Sequence, residues 1–294
     1  MKKIYFIIKP LSPSKSKRLE SLIKTTFKEE AVTLFLWKSL YKGHAIELSK
    51  KAVDEKADVI VACGGDGTIN EVGQAMVHRA IPLGIIPLGS GNGLARHLKI
   101  SLNNAKAVQN ILIRKTVPFD VGSVNDNYFF CNMGMGFEAR FIQQYGKNKS
   151  HGLWAYFIAF INALSVFKRP EIQVEYEGLK KKMEPFIFML SNTNQQGYNF
   201  SITKDAKSDD GKLKMVWMEK PSWLTLVRFA SQVLFYERIR LKKFNSISVK
   251  ELRVTPTNTK KILIQIDGEH LPLKDDFLKI ITLKHALEVI VPVK

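Results

Sequence analysis

A single aspartate stands inside a glycine turn in the stretch CGGDGTINEV, residues 63–72. Gly64, Gly65 and Gly67 carry no Cβ, so the backbone amides around them can turn inward and approach an anion closely. A helix expected to begin near Thr68 adds the positive end of its dipole. Together these describe a cradle for phosphate. The carboxylate of Asp66 would repel a bare phosphate, and is most simply read as acting through Mg²⁺. The competing reading is a tight turn in which Asp66 caps the helix.

A second glycine-rich stretch, PLGSGNGLARHL at 87–98, sets Ser90 and Asn92 among Gly89, Gly91 and Gly93, with Arg96 one helical turn later. Taken alone it could be a plain strand-to-helix connection capped by Asn92. Two such turns at neighbouring strand ends are harder to dismiss. No GxxxxGK[ST] occurs, so neither turn is a P-loop. GMGFEA at 134–139 matches a dinucleotide fingerprint by spacing. It lacks the acidic residue expected some 20 positions later and is read as a chance match.

The turns need strands and helices to hold them. Up to residue 122, apolar runs alternate with helical stretches: KIYFIIKP, VTLFLW, DVIVACGG and PLGIIPLG read as strands, and KRLESLIKTTFKEE, GHAIELSKKAVDEK and TINEVGQAMVHR as helices. That order predicts a doubly wound, mostly parallel α/β sheet, whose ligands bind beyond the carboxyl ends of the strands. From residue 123 to 294 the runs NYFFCNM, EIQVEY, PFIFML, KLKMVWM, SISVKELRVT, KILIQID and LKIITL predict a mainly antiparallel β-sandwich. Helical segments at 152–167 and 221–237 interrupt it. The expected domains are 1–122 and 123–294, with the last strand free to return to the first.

The chain has 294 residues, 45% hydrophobic and 24% charged, as befits a globular protein. Its net charge of +18 points to an anionic partner: nucleic acid, a phosphorylated small molecule or an acidic membrane surface. A basic surface kept for solubility is the plainer alternative. Cys63 and Cys131 have no metal-binding or redox spacing, so a reduced, cytoplasmic setting is expected. The apolar start is too short for a signal peptide. The longest apolar run, 153–167, falls short of the roughly 20 residues a membrane span needs. Its Trp154, Tyr156, Phe157, Phe160 and Phe167 suit acyl chains, an interface or a buried helix.

GGDGTINEV followed by PLGSGNGLAR resembles the diacylglycerol kinase catalytic-domain family, which includes soluble bacterial lipid kinases and the sphingosine and ceramide kinases. KSLYKGHAIEL at 38–48, FDVG at 119–122, DAKSDDGKLKM at 205–215 and IQIDGE at 264–269 are similar to its other motifs, so the resemblance covers nearly the whole chain. It implies an ATP-dependent lipid kinase with an NAD-kinase-like first domain. Gly64, Gly65, Asp66, Gly67 and Thr68 would surround the phosphates, Asp66 would be linked to Mg²⁺, and Ser39, Ser90 and Asn92 would touch the nucleotide. Glu269, with Asp267 as second choice, would be the general base for the lipid hydroxyl. Otherwise the two are simply acids of a β-turn. KSDDGK resembles a structural Mg²⁺ loop in which Asp210 and the carbonyls of Lys207 and Lys212 are ligands; a solvated Asp-Gly hairpin is the alternative. Asp120 would meet the lipid head group or cap the domain junction.

Three positions depart from the family pattern. Lys9 takes the place of its usual asparagine, Ser39 that of threonine, and Gly93 that of the aspartate commonly following Asn92. The resemblance further implies a diacylglycerol acceptor, presented at an anionic membrane to which the enzyme binds peripherally. Monoacylglycerol, a sphingoid base and a polyprenol stay open as acceptors, and so does a homodimer. No helix-turn-helix, zinc or RRM signature supports nucleic acid. The rival readings are an NAD kinase, which shares the GGDGT turn, and a catalytically silent lipid-binding protein.

Overall fold

Runs such as IYFII and VIVACG are apolar at every position rather than at alternate ones. A strand of that kind must be covered on both faces, as in a parallel sheet between helix layers. The computed structural model, which describes residues 1–147, 153–195, 201–235, 241, 244–258, 262–273 and 275–293, places them so. The chain forms two compact units: Met1–Val121 with Lys284–Lys294, and Gly122–Gln196 with Phe200–Leu283.

The first unit alternates β1 (Lys2–Ile8), α1 (Pro13–Thr26), β2 (Val32–Lys38), α2 (His44–Asp54), β3 (Val59–Gly64), α3 (Asp66–Gln74), β4 (Leu83–Pro87), α4 (Gly93–His97), α5 (Asn104–Ile113) and the start of β5 (Thr116–Val124). β1 lies parallel to both β2 and β3, and β3 parallel to β4. Strand order therefore reverses between β1 and β3, the switch point where such sheets bind ligands. β3 and β4 run straight into the two glycine-rich turns. Helix α4 follows the second glycine-rich turn, and α5 falls in a stretch with no helix expected. Asn103 opens α5, its side chain accepting the Ala105 and Lys106 N–H groups.

The second unit contains β6 (Asn127–Phe129), β7 (Asn132–Gly136), α6 (Phe137–Lys147), α7 (Leu153–Val166), β8 (Ile172–Tyr176), β9 (Leu179–Met183), β10 (Pro185–Ser191), β11 (Leu213–Glu219), α8 (Trp223–Phe235), β12 (Phe244–Val249), β13 (Glu251–Pro256), β14 (Ile262–Ile266), β15 (Glu269–Leu273) and β16 (Leu278–Ile290). One antiparallel sheet runs β12-β11-β10-β7-β14-β15. β8, β9, β13 and the first part of β16 form the facing layer. Met133, Phe188, Leu190 and Trp217 from the first layer and Val174, Val254 and Ile280 from the second fill the core between them. The tail of β16 belongs to the first unit, with Val289 parallel to Leu83 of β4.

Three departures from the expected elements have physical causes. SISVKELRVT is two strands, because β12 pairs with β11 while β13 pairs with β8 and β16. The alternation slips by one at Lys250 and Glu251, two polar residues in a row between Val249 and Leu252, and that slip marks the corner. β9, LKKKM, is an edge strand whose lysines hide its apolar signal. At GMGFEA, β7 gives way to α6. A Cβ on Gly134 would lie 2.8 Å from Glu138, and one on Gly136 (φ +99°) 2.8 Å from the Phe186 carbonyl. Close packing accounts for both glycines.

Of the expected aromatic segment, the side chains of Trp154, Tyr156, Phe157 and Phe160 lie outside the described ones. Phe167 packs edge-on against Phe137 and Phe186. Among the described residues no helix is long and apolar enough to cross a membrane.

Candidate active site

The two glycine turns are built into each other. Leu88 N–H donates to the Gly64 carbonyl at 2.7 Å as β3 and β4 end. A Cβ on Gly65 would sit 3.1 Å from Gly89 Cα, and one on Gly89 only 2.6 Å from Gly65 Cα. Neither position has room for a side chain. Asn92, left-handed at φ 50°, locks the second turn: its Oδ1 accepts the Gly89 N–H at 2.9 Å and its Nδ2 donates to the Gly89 carbonyl at 2.8 Å. Arg96 Nε donates to the Gly91 carbonyl at 3.0 Å. The side chain of Asn92 is thus spent on the turn, whereas Ser90 is exposed.

Asp66 is the first residue of α3, with Gly65 rather than Asp66 at the cap position. Its Oδ1 faces the start of α4, where the Leu94 N–H donates at 3.4 Å. Burial raises the Asp66 carboxyl above its usual range, and the N–H groups of Leu94, Gly93 and Asn92 draw it partly back. Thr68 closes the turn from below, since a Cβ on Gly64 would overlap its side chain at 2.3 Å.

Ser39 is buried where β2 ends. Its N–H donates to the Ile8 carbonyl at 2.9 Å, while Lys9 N–H donates to the Cys63 carbonyl at 3.0 Å. Both residues line a cavity of about 430 Å³ with Pro10, Lys17, Lys38 and Leu40. Burial, and then the charge of Lys15, lowers the Lys9 ammonium below its usual range. Glu71 carries a role not read from the sequence. Its carboxylate accepts the N–H groups of Gly43 and Ala45 at 2.8 and 3.2 Å, and so caps α2 from α3. The only sequence signal was its place in GGDGTINEV.

In the second unit Asp267 and Gly268 form the two-residue turn of the β14–β15 hairpin, at φ 48° and 83°. Asp-Gly is favoured there because both positions need positive φ. The Asp267 carboxylate accepts three backbone N–H groups, from Phe130, Cys131 and Asn132, at 2.9, 2.8 and 2.9 Å. Gln265 braces the same turn, bonding Asn132 Oδ1 at 2.7 Å and accepting the Gly268 N–H at 2.9 Å. Glu269 follows as the first residue of β15 and is exposed. The two acids therefore differ in kind: Asp267 clamps the turn and Glu269 is presented to solvent.

Asp210 accepts the Lys212 N–H at 3.0 Å around Gly211 (φ 74°), and Lys207 is exposed. This is an Asx-type turn in the connection that leads into β11. Neighbouring Asp205 pairs with Lys214 at 2.7 Å. Among the described residues no three His, Cys, Asp or Glu side chains gather as a metal cluster. Asp120 is fully buried, and its Oδ1 accepts the His285 N–H at 2.8 Å where β16 adopts a left-handed residue.

Residues 3–124 match the family model of the diacylglycerol kinase catalytic domain, and residues 132–290 that of the YegS C-terminal NAD kinase beta sandwich-like domain. A protein of Bacillus subtilis (strain 168) named diacylglycerol kinase is 30% identical over 233 residues, covering 78% of this chain and 76% of its own. One of Staphylococcus saprophyticus with the same name is 30% identical over 261 residues, covering 85% and 82%. A crystal structure of a diacylglycerol kinase from Bacillus anthracis str. Sterne aligns at a TM-score of 0.75 over 99% of this chain and 97% of that one. At 18% identity that likeness is one of fold. The apposed turns on a doubly wound sheet, followed by a β-sandwich, are those of a kinase, and the chain belongs to the diacylglycerol kinase catalytic-domain family. Membership of a kinase family implies ATP as substrate.

Proposed function

We propose that the protein transfers the γ-phosphate of ATP to the hydroxyl of a membrane lipid, with diacylglycerol as the acceptor. The observation that carries the reading is the Gly65–Gly89 contact. It leaves a backbone-lined cradle at the N-terminus of α3 that any side chain would fill. Unscreened N–H groups and a helix N-terminus suit phosphate. Asp66 there supplies the one carboxylate with which a phosphate-bound Mg²⁺ is commonly held, so the donor set fits that ion. When bound, Mg²⁺ neutralises charge on the β- and γ-phosphates.

The chain's own residues do the rest. Backbone amides of residues 64–68 take up phosphate charge, and Ser39 and Lys9 line a cavity where β1 and β2 end. Glu269 accepts the acceptor's hydroxyl proton as its oxygen bonds to the γ-phosphorus. The bond to the bridging oxygen breaks and ADP leaves. Asp267 positions Glu269 by fixing the turn, its own oxygens being taken by three N–H donors. The acceptor lies in an anionic membrane to which the protein binds peripherally. The +18 charge favours this, each basic residue near such a surface contributing about 1 kcal/mol.

The test is purified protein with γ-labelled ATP and Mg²⁺, given diacylglycerol in anionic vesicles or NAD. Label in the lipid phase supports the reading. Label on NAD replaces it with NAD kinase activity, and no transfer with vesicle binding intact replaces it with a silent lipid-binding protein.

A further inference from the structure

Large apolar side chains that stand in water are concentrated on two helices of the second unit. Thirteen are exposed among the described residues, and six of these lie on α7 and α8: Ile158, Ile161, Val166, Trp223, Leu224 and Val227. Trp223 and Leu224 are 69% and 70% exposed. The opposite faces of the helices are already satisfied. Ala159 and Ala163 of α7 and Phe229 of α8 are buried with Phe137, Phe186 and Met218. A helix apolar on its outer face as well needs something apolar outside it.

Charge narrows what that can be. Across their lengths α7 carries no charged residue and α8 only Arg228. Where α7 ends and α8 begins, Phe167, Pro221 and Leu226 line a groove of about 420 Å³ together with Lys168 and Arg169. Of the two acids there, Glu184 is paired with Lys220 at 2.8 Å, leaving Glu171 against Lys168 and Arg169. Next to the exposed start of α8 the groove therefore carries a surplus of positive charge.

We propose that this end of α7 and α8, centred on Trp223 and Leu224, docks on an anionic lipid bilayer. A tryptophan and aliphatic side chains on a helix without acids, with basic groups beside them, match the headgroup boundary of such a membrane. A second copy of the chain fits less well, because self-association would set like charges on a +18 molecule against each other. The inference rests on the reading of the acceptor as a membrane lipid, and assigns the surface by which the enzyme reaches it.

The test compares the full-length protein with Trp223→Ala/Leu224→Ala. Both sites are exposed, so the variant should fold, which its thermal midpoint checks. Partition is measured by sedimentation with vesicles of equal parts phosphatidylglycerol and phosphatidylcholine, and with phosphatidylcholine alone. The wild type should prefer the anionic vesicles, and the variant should lose at least about tenfold in partition, as expected for two large apolar side chains that no longer leave water. Phosphorylation of a short-chain, water-soluble diacylglycerol should stay at the wild-type rate. Trp223→Phe should remove a blue shift in emission that vesicles induce in the wild type. Equal partition of variant and wild type overturns the proposal, as does a wild-type dimer that the double variant splits without loss of vesicle binding. If the face governs partition but no lipid is phosphorylated, the surface stands and the kinase reading fails.

Discussion

Gly65 and Gly89 meet backbone to backbone, with no more than 3.1 Å between the Cα of one and the place where a Cβ on the other would stand. This contact joins the turn after β3 to the turn after β4. A methyl group at Gly89 would meet both Gly65 and Asn92 Oδ1. Gly89→Ala should destabilise the protein by about 1–3 kcal/mol, the usual cost of overpacking. ATP affinity should fall with it. Thermal unfolding and ATP titration of the same sample check both.

Asp66 links stability to pH in a direction that can be stated in advance. Burial raises its folded pKa. A carboxyl so raised holds its proton more tightly in the folded than in the unfolded state, so its contribution to stability is lost as pH rises from the ordinary carboxylate range to the folded value. At neutral pH the ionised group is a cost. Asp66→Asn should therefore melt above the wild type near neutrality, with the gap closing as pH falls below the ordinary carboxylate range. The same variant should be inactive.

The two acids of the second unit should separate cleanly. Asp267→Asn puts an amide where three N–H groups converge, and should cost about 1–3 kcal/mol for the donor left unsatisfied. Glu269→Gln alters an exposed side chain and should stay within about 0.5 kcal/mol of the wild type. Denaturant titrations of the two variants give the comparison directly.

Glu71 predicts an effect at a distance. Its removal uncaps α2 at Gly43 and Ala45, beside the loop that follows Ser39. Glu71→Ala should lose about 1 kcal/mol of stability. It should raise KM for ATP more than it lowers kcat, since the loop borders the cavity rather than the reacting atoms. Steady-state kinetics over a range of ATP concentrations decides it.

What the sequence could and could not show follows from where each partner lies. The parallel sheet was legible because strands buried on both faces are apolar throughout, and GGDGT and GSGNG announced themselves as turns. That the turns touch was not legible, because the contact depends on strand order. Asn92 was expected to face a nucleotide, yet both ends of its amide serve Gly89. Asp267 and Glu269 could not be told apart, since the donors that occupy Asp267 come from residues 135–137 positions earlier in the chain. Glu71 was hidden in the same way, its targets lying 26 and 28 positions before it.

The proposed role of Glu269 as general base is tested most directly by single-turnover transfer from γ-labelled ATP to diacylglycerol, comparing the wild type with Glu269→Gln under saturating ATP and Mg²⁺. Glu269→Gln should bind ATP as the wild type does but transfer at least about a hundredfold more slowly, the usual worth of a positioned general base. Transfer at the wild-type rate by Glu269→Gln would contradict that role.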